Sequence, residues 1–288
     1  MVKIRLFSDS SLDLPADLPE KTQVRRIPMN ILMGDKSYTD LIDITPYDIL
    51  DYGEKFKETP KTSSPTYERF MEALSTLEDD EIAILVLISD KSSSGTHLVA
   101  KATIEDLGIQ DRAFVVNTKS VSGGVGLIVL EAKRLIDEGL EAQEIVELLN
   151  KKVERLETSF VIDKLDYLFY GGRCSQLSLM FSRGLKIRPC IEMVDGEMKA
   201  TRKYRGPLRK VYDKYLEDLK SKIDMIDKKV LAIAHTRMDD EEVFSYFISK
   251  VKELNYFDEI IIAKTSSTIT SHAGPNTVGM FYFFKDEN

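Results

Sequence analysis

Short apolar runs alternate along the chain with stretches of helical period. Val2-Lys3-Ile4-Arg5-Leu6-Phe7 alternates with period two and then meets Ser8-Asp9-Ser10-Ser11, which predicts a strand running into a polar loop. Gln23 to Met33 reads as a further strand. Thr45 ahead of Pro46 is an N-cap followed by proline at the first helical position, so a helix is expected to about Lys57. Ser64-Pro65-Thr66 repeats the device before the amphipathic segment Tyr67 to Leu77. Ile82 to Ile88 is continuously apolar, as a strand buried on both faces must be. A helix from about Gly95, a strand Ala113 to Val116 and helices Val121 to Glu138 and Ala142 to Glu157 follow. Strand, loop and helix in repetition predict an α/β fold with a parallel sheet wrapped by helices.

The pattern changes near residue 158. Thr158 to Ile162 reads as a strand, and Lys186 to Met193 and Glu197 to Tyr204 as two strands of a hairpin turning at Val194-Asp195-Gly196. Helix Pro207 to Ile223, strand Lys229 to Ala234, helix Asp240 to Leu254, strand Glu259 to Lys264 and strand Val278 to Phe284 complete the chain. Hairpins mixed with crossover helices predict a mixed sheet. Two α/β domains are therefore expected, an N-terminal one over 1–158 and a C-terminal one over 159–288.

Composition then narrows the function. A net charge of −8 argues against a generally basic nucleic-acid binder. No apolar run approaches the ~20 residues that cross a bilayer, so stable membrane insertion is not expected. The two cysteines, Cys174 and Cys190, form no CxxC pair, and the first residues read as a strand rather than a leader, so a reducing cytoplasm is the expected compartment. The charge is uneven, though: Arg183 to Lys214 holds ten Lys/Arg against four acids, a solvated face or a docking surface for an acidic partner. There is no GxxxxGK[ST], HExxH or GxSxG, and three histidines with two distant cysteines make no metal-ligand spacing. Gly124-Val125-Gly126 is half a dinucleotide fingerprint, but Val129 stands where the third glycine belongs.

What remains is a set of hydroxyl-rich loops at strand ends and helix starts: Ser8 to Asp13, Lys61 to Thr66, and Ser92 to Thr96. Each can be read as ordinary N-capping. Together they offer hydroxyls, backbone N–H groups and positive helix ends, which suit a carboxylate or phosphate. Arg173 in the Gly171-Gly172 loop offers a fixed fork of donors. His272 sits in a predicted Gly-Pro turn among serines and threonines.

In their order along the chain, these segments resemble the DegV family of bacterial fatty-acid-binding proteins. The matching pieces are Asp9-Ser10-Ser11-Leu12-Asp13-Leu14, Lys61-Thr62-Ser63-Ser64-Pro65, and Ser89 with Ser94-Gly95-Thr96. Asn117 to Gly124, Leu168 to Ser175 and Ser271-His272-Ala273-Gly274-Pro275 follow. Two positions depart from the pattern: Asn276 stands where a glycine is expected, and Cys174 where an aliphatic residue is. The resemblance implies a non-catalytic, two-domain carrier with one long-chain fatty acid as ligand and no cofactor or metal. It implies that Thr62, Ser63, Ser94, Gly95, Thr96 and His272 hold the carboxyl group, with Arg173 in support. It also implies that a separate ATP-dependent fatty acid kinase catalytic subunit phosphorylates the bound acid for phospholipid synthesis. Arg202, Arg205 and Arg209 are the candidates for docking that kinase.

Two rival readings use the same residues. A hydrolase or acyltransferase acting on acyl esters would take Ser94 as nucleophile and His272 as base, oriented by Asp9 or Asp13. A regulatory or structural binding module for another acidic metabolite would use the same loops around a short, polar pocket.

Overall fold

The structure, a computed structural model, describes residues 3–92, 95–174 and 187–286. In chain order come β1 (Lys3–Asp9), α1 (Leu18–Thr22), β2 (Arg25–Ile27), β3 (Asn30–Met33), β4 (Lys36–Thr39), α2 (Pro46–Phe56), β5 (Lys61–Ser63), α3 (Tyr67–Leu74), β6 (Glu81–Leu87), α4 (Thr96–Asp106) and β7 (Ala113–Asn117). Then come α5 (Gly123–Asp137), α6 (Ala142–Val153), β8 (Leu156–Val161), α7 (Leu165–Tyr170), β9 (Ile187–Val194), β10 (Glu197–Arg205) and α8 (Leu208–Ser221). The remainder is β11 (Ile226–His235), α9 (Glu241–Glu253), β12 (Glu259–Lys264), α10 (Ser267–Ala273) and β13 (Val278–Phe284).

Three sheets result. Strands β2-β1-β6-β7 pair in parallel, as the repeating strand–helix pattern requires. A six-stranded sheet runs β10-β9-β8-β13-β11-β12, antiparallel except for the β11–β12 pair, so it is the expected mixed sheet. The hairpin turns at Asp195 and Gly196, both left-handed, as a tight two-residue connection demands. A small antiparallel sheet β4-β3-β5 was not foreseen. It divides the strand expected over Gln23 to Met33: β2 joins the parallel sheet, β3 the small one, and Pro28 and Met29 lie between them. Proline has no N–H for a ladder and interrupts the run. The helix expected to reach Glu157 stops at Val153, because Leu156 and Glu157 already pair with β13.

Helix α5 explains how the two large sheets meet. Its sequence is apolar on nearly every side, and Val125, Leu127, Ile128, Val129, Ala132 and Leu135 are all buried. It packs on β1 and β6 of one sheet and on β8, β11 and β13 of the other. One hydrophobic cluster therefore includes Leu6, Ile84 and Val116 together with Ala232, Ile261, Phe281 and Phe283. Burying a large aliphatic or aromatic side chain of this kind stabilises the fold by about 1.5–3 kcal/mol. Residue 158 lies inside β8, and the core runs across it.

Candidate functional site

The serine- and aspartate-rich end of β1 is a scaffold. Asp9 accepts hydrogen bonds from Ser11 N (2.9 Å), Ser11 Oγ (2.5 Å) and Ile88 N (2.8 Å), which ties the end of β1 to the end of β6. Asp13 accepts from Ser122 Oγ at 2.6 Å and Ser266 N at 2.7 Å. Asp40 accepts from Ser10 Oγ (2.9 Å), Ser267 N (3.2 Å) and Thr268 N (3.1 Å). Two carboxyl groups of the first segment thus satisfy the unpaired N–H groups at the start of α10 and place its positive end. Burial pushes the Asp9 carboxyl upward, and pushes that of Asp13 up to about 7 against the pull of its hydrogen bonds.

Helix α10 carries His272, which lies in its last turn rather than in the expected Gly-Pro turn. The turn follows: Gly274 and Asn276 are both left-handed. Asparagine tolerates that conformation, which explains how it replaces a glycine here. The Asn276 amide also donates to Asp163 and Asp239.

Strand β5 delivers Thr62 through its pairing with Ile31 of β3. Thr62 Oγ1 and His272 Nε2 are hydrogen-bonded at 2.7 Å. His272 Nδ1 is enclosed and has no hydrogen-bond partner. Gly171, just after α7, makes room for this ring: a Cβ there would lie 2.3 Å from Nδ1. Arg173 donates to Gly171 O at 3.0 Å. Burial, with the nearby Arg173 guanidinium second, pushes the His272 imidazole down to about 3, so it is neutral at physiological pH.

Thr62, Ser63, Arg173 and His272 all line one cavity. Counted out to its mouth and including the solvent there, the space is about 740 Å³. Most of the wall is apolar, with Met29, Ile88, Phe160, Leu168, Met198 and Phe281 among its residues. Four hydroxyls on the wall already have protein partners. Ser92 donates to Gly196 O, Ser122 to Asp13 and Thr277 to Ala273 O, and Thr265 is bonded to Thr270. Thr268 is different: its enclosed Oγ1 has no partner. Two residues of the wall thus hold enclosed polar atoms without a protein partner, Nδ1 of His272, which faces Gly171, and Oγ1 of Thr268. Such atoms are costly to bury unless something else satisfies them.

Gly95 and Thr96 are not on that wall. They start α4, Gly95 in the left-handed region, and His97 next to them bonds through Nε2 to the carbonyl oxygen of cavity-lining Ile88 at 2.7 Å. Thr96 Oγ1 is a further enclosed hydroxyl without a partner. Ser94 lies outside the described residues. Asp9 and Asp13, the acids the hydrolase reading calls on, bond to the groups given above, and the His272 bond goes to Thr62. Sequence reasoning missed Thr268, although the Thr265-to-Ser271 run of hydroxyls was a signal for it.

The three arginines of the basic stretch differ. Arg202 is half-buried and ion-paired with Glu192 and, at 3.1 Å, with Asp218. Arg209 lies over the Tyr246 ring, 3.9 Å from its centroid. Arg205 is exposed at the end of β10. Among the described residues no cluster of side chains could hold a metal ion, and no helix is long and apolar enough to cross a membrane.

Residues 3–285 match the family model described as an uncharacterised protein of the DegV family. A DegV domain-containing protein of Caldanaerobacter subterraneus subsp. tengcongensis is 29% identical over 288 residues, spanning 98% of this chain and 99% of its own. A protein of Thermotoga maritima named as a fatty acid-binding protein is 28% identical, over 96% of both chains. Among solved structures, a fatty-acid-binding DegV family protein of Thermus thermophilus superposes with a TM-score of 0.87 at 26% identity, covering 98% of this chain and all of that one.

Proposed function

The chain belongs to the DegV family, and on that premise we propose that it is a non-catalytic carrier of one long-chain fatty acid. The observation that carries this reading is the apolar chamber with partnerless polar atoms in two residues of its wall, His272 Nδ1 and Thr268 Oγ1, beside the Thr62–His272 hydrogen bond. A fatty acid has the matching shape: a carboxyl group that needs hydrogen bonds and a tail that needs none. Thr62, Ser63 and His272 hold the carboxyl group, with Thr268 as an additional donor and Arg173 supplying positive charge beside it. The family resemblance implies that Ser94, Gly95 and Thr96 complete the set. A neutral His272 and Thr62 have two polar protons between them and use one in their own hydrogen bond, so the pair donates one hydrogen bond to the carboxyl group and leaves the charge to arginine. The tail contributes about 0.8 kcal/mol for each methylene removed from water, which offsets the cost of ordering the chain.

In the fuller form of the proposal, the carrier presents its carboxyl group to a separate ATP-dependent fatty acid kinase, which forms the acyl phosphate. The support is the family resemblance together with exposed Arg205 at the end of the β9–β10 hairpin. The first test is the mass of what co-purifies: organic extraction of protein made in a bacterial host is expected to yield an aliphatic acid. A clean apo protein that refuses added fatty acid overturns the reading.

A further inference from the structure

The floor of the chamber is one face of β13 and its lead-in. Thr277, Gly279 and Phe281 alternate onto this face and all line the cavity, while Val278, Met280 and Tyr282 turn to the cluster on the other side. Thr277 sits at the polar end, where its hydroxyl bonds to Ala273 O beside His272. At about 3.3 Å per residue, Phe281 lies ~13 Å further along the strand.

Between those two points the sheet is shallow. Gly279 is paired with Ala234 of β11, and Ala234 with Ala263 of β12, so three small residues stand in one row. Phe160 of β8, on the other side of Gly279, bounds this trough. Phe281 closes it. Its ring leans back over Gly279, where an added Cβ would stand 2.9 and 3.1 Å from ring atoms. From above, α5 presses on the same ring, and a Cβ on Gly123 would come within 2.6 Å of it. Both glycines give the ring space rather than an unusual backbone, since neither has a positive φ. Phe281 is itself fully buried and belongs to the cluster of Val125, Ile128 and Phe283, the packed core between the sheets. The ring is thus a partition with the chamber on one side and the core on the other.

We propose that Phe281, seated between Gly123 and Gly279, is the end stop of the chamber and sets the longest acyl chain the protein accepts. The inference rests on the fatty-acid reading above and deepens it from a class of ligand to a length limit. The tail fills the chamber between His272 and the Phe281 ring, and its terminal methyl meets the ring where it covers Gly279.

The test is a ladder of saturated straight-chain fatty acids, lengthened two carbons at a time, competed against a fluorescent fatty acid on the full chain. Phe281→Ala is expected to move the preferred length up by about two to four carbons, the room left by a deleted ring. Phe281→Leu, a milder change that serves if the alanine variant does not fold, is expected to move it in the same direction by less. Gly279→Ala, whose Cβ presses the Phe281 ring off its seat and into the chamber, is expected to weaken the longest acids about tenfold and leave the shorter ones unchanged. An identical length profile in wild type and in folded Phe281 variants overturns the end-stop role while leaving fatty-acid binding intact. Wild type that binds no acid of any length overturns the carrier reading itself.

Discussion

Thr62 Oγ1 and His272 Nε2 stand 2.7 Å apart across 210 residues of sequence. The pair joins a three-residue strand of the small sheet to a short helix next to the last strand of the mixed sheet. Thr62→Val keeps the shape of the side chain and removes the hydroxyl. We expect fatty-acid affinity to fall about tenfold, equivalent to ~1.4 kcal/mol, and the fold to lose about 1–3 kcal/mol because His272 Nε2 is left without its partner. Fatty-acid displacement and a thermal melt check this, and unchanged affinity would remove Thr62 from the site.

Gly171 gives a purely steric prediction. Its φ is ordinary, but a Cβ would lie 2.3 Å from His272 Nδ1 and 2.8 Å from the Tyr167 carbonyl oxygen. Gly171→Ala should displace the imidazole and weaken fatty-acid binding about tenfold or more, at a stability cost of about 1–3 kcal/mol. Retained affinity in the folded variant would show that the ring position does not matter.

His272 should not titrate in the physiological range. Burial lowers it to about 3, so the ring is neutral from pH 5 to pH 8. A proton NMR titration of the His272 ring is expected to be flat over that interval. A midpoint near 6.5 would mean that the ring is solvated in solution.

Asp13 should make the protein more stable in mild acid than at neutral pH. Its folded value, about 7, lies above the ordinary carboxyl value of 3.8. Between these two values the folded state holds a proton that the unfolded state has lost, so stability falls as pH rises from about 4 to 7 and then levels off. The slope from this one group approaches 1.4 kcal/mol per pH unit. Asp13→Asn should remove that part of the dependence, measured as the difference between the two proteins' denaturation midpoints at pH 5 and pH 8. Parallel profiles would refute the assignment.

The basic stretch divides into structural and exposed arginines. Arg202→Glu breaks the half-buried ion pairs with Glu192 and Asp218 and should destabilise the fold. Arg205→Glu should leave both the fold and fatty-acid binding unchanged and impair only turnover of the bound acid by the kinase. Lost lipid binding in the Arg205 variant would contradict the proposed division of roles.

Much of the architecture was legible because strong patterns were local. β12 and β13 have the bounds that their apolar runs predict, and Thr45-Pro46 starts α2 with both halves of a capping box in place. What stayed hidden was short or non-local. α10 is seven residues, mostly serine and threonine, with little helix propensity of its own. It is helical where Asp13 and Asp40 receive its first N–H groups, and no sequence window contains those partners. Strands β3, β4 and β5 are only three or four residues long, too short for a period to show. Thr62, Ser63, Arg173 and His272 were visible as chemistry in loops. Phe281 becomes a chamber wall only through the alternation of β13 beneath the cavity, and nothing local marks Thr268 as the hydroxyl of its run that lacks a partner.

The position of β13 bears on how the molecule is made. It follows every other described element along the chain, yet it sits in the interior of the six-stranded sheet, between β8 and β11. During synthesis the ribosome delivers both neighbours before the strand that must join them. Until then β9 and β8 have no ladder to β11 and β12, Gly123 has no ring to hold, and the chamber has no floor. A nascent chain can complete its parallel sheet early, but it becomes a vessel only when this late strand slides into the open slot.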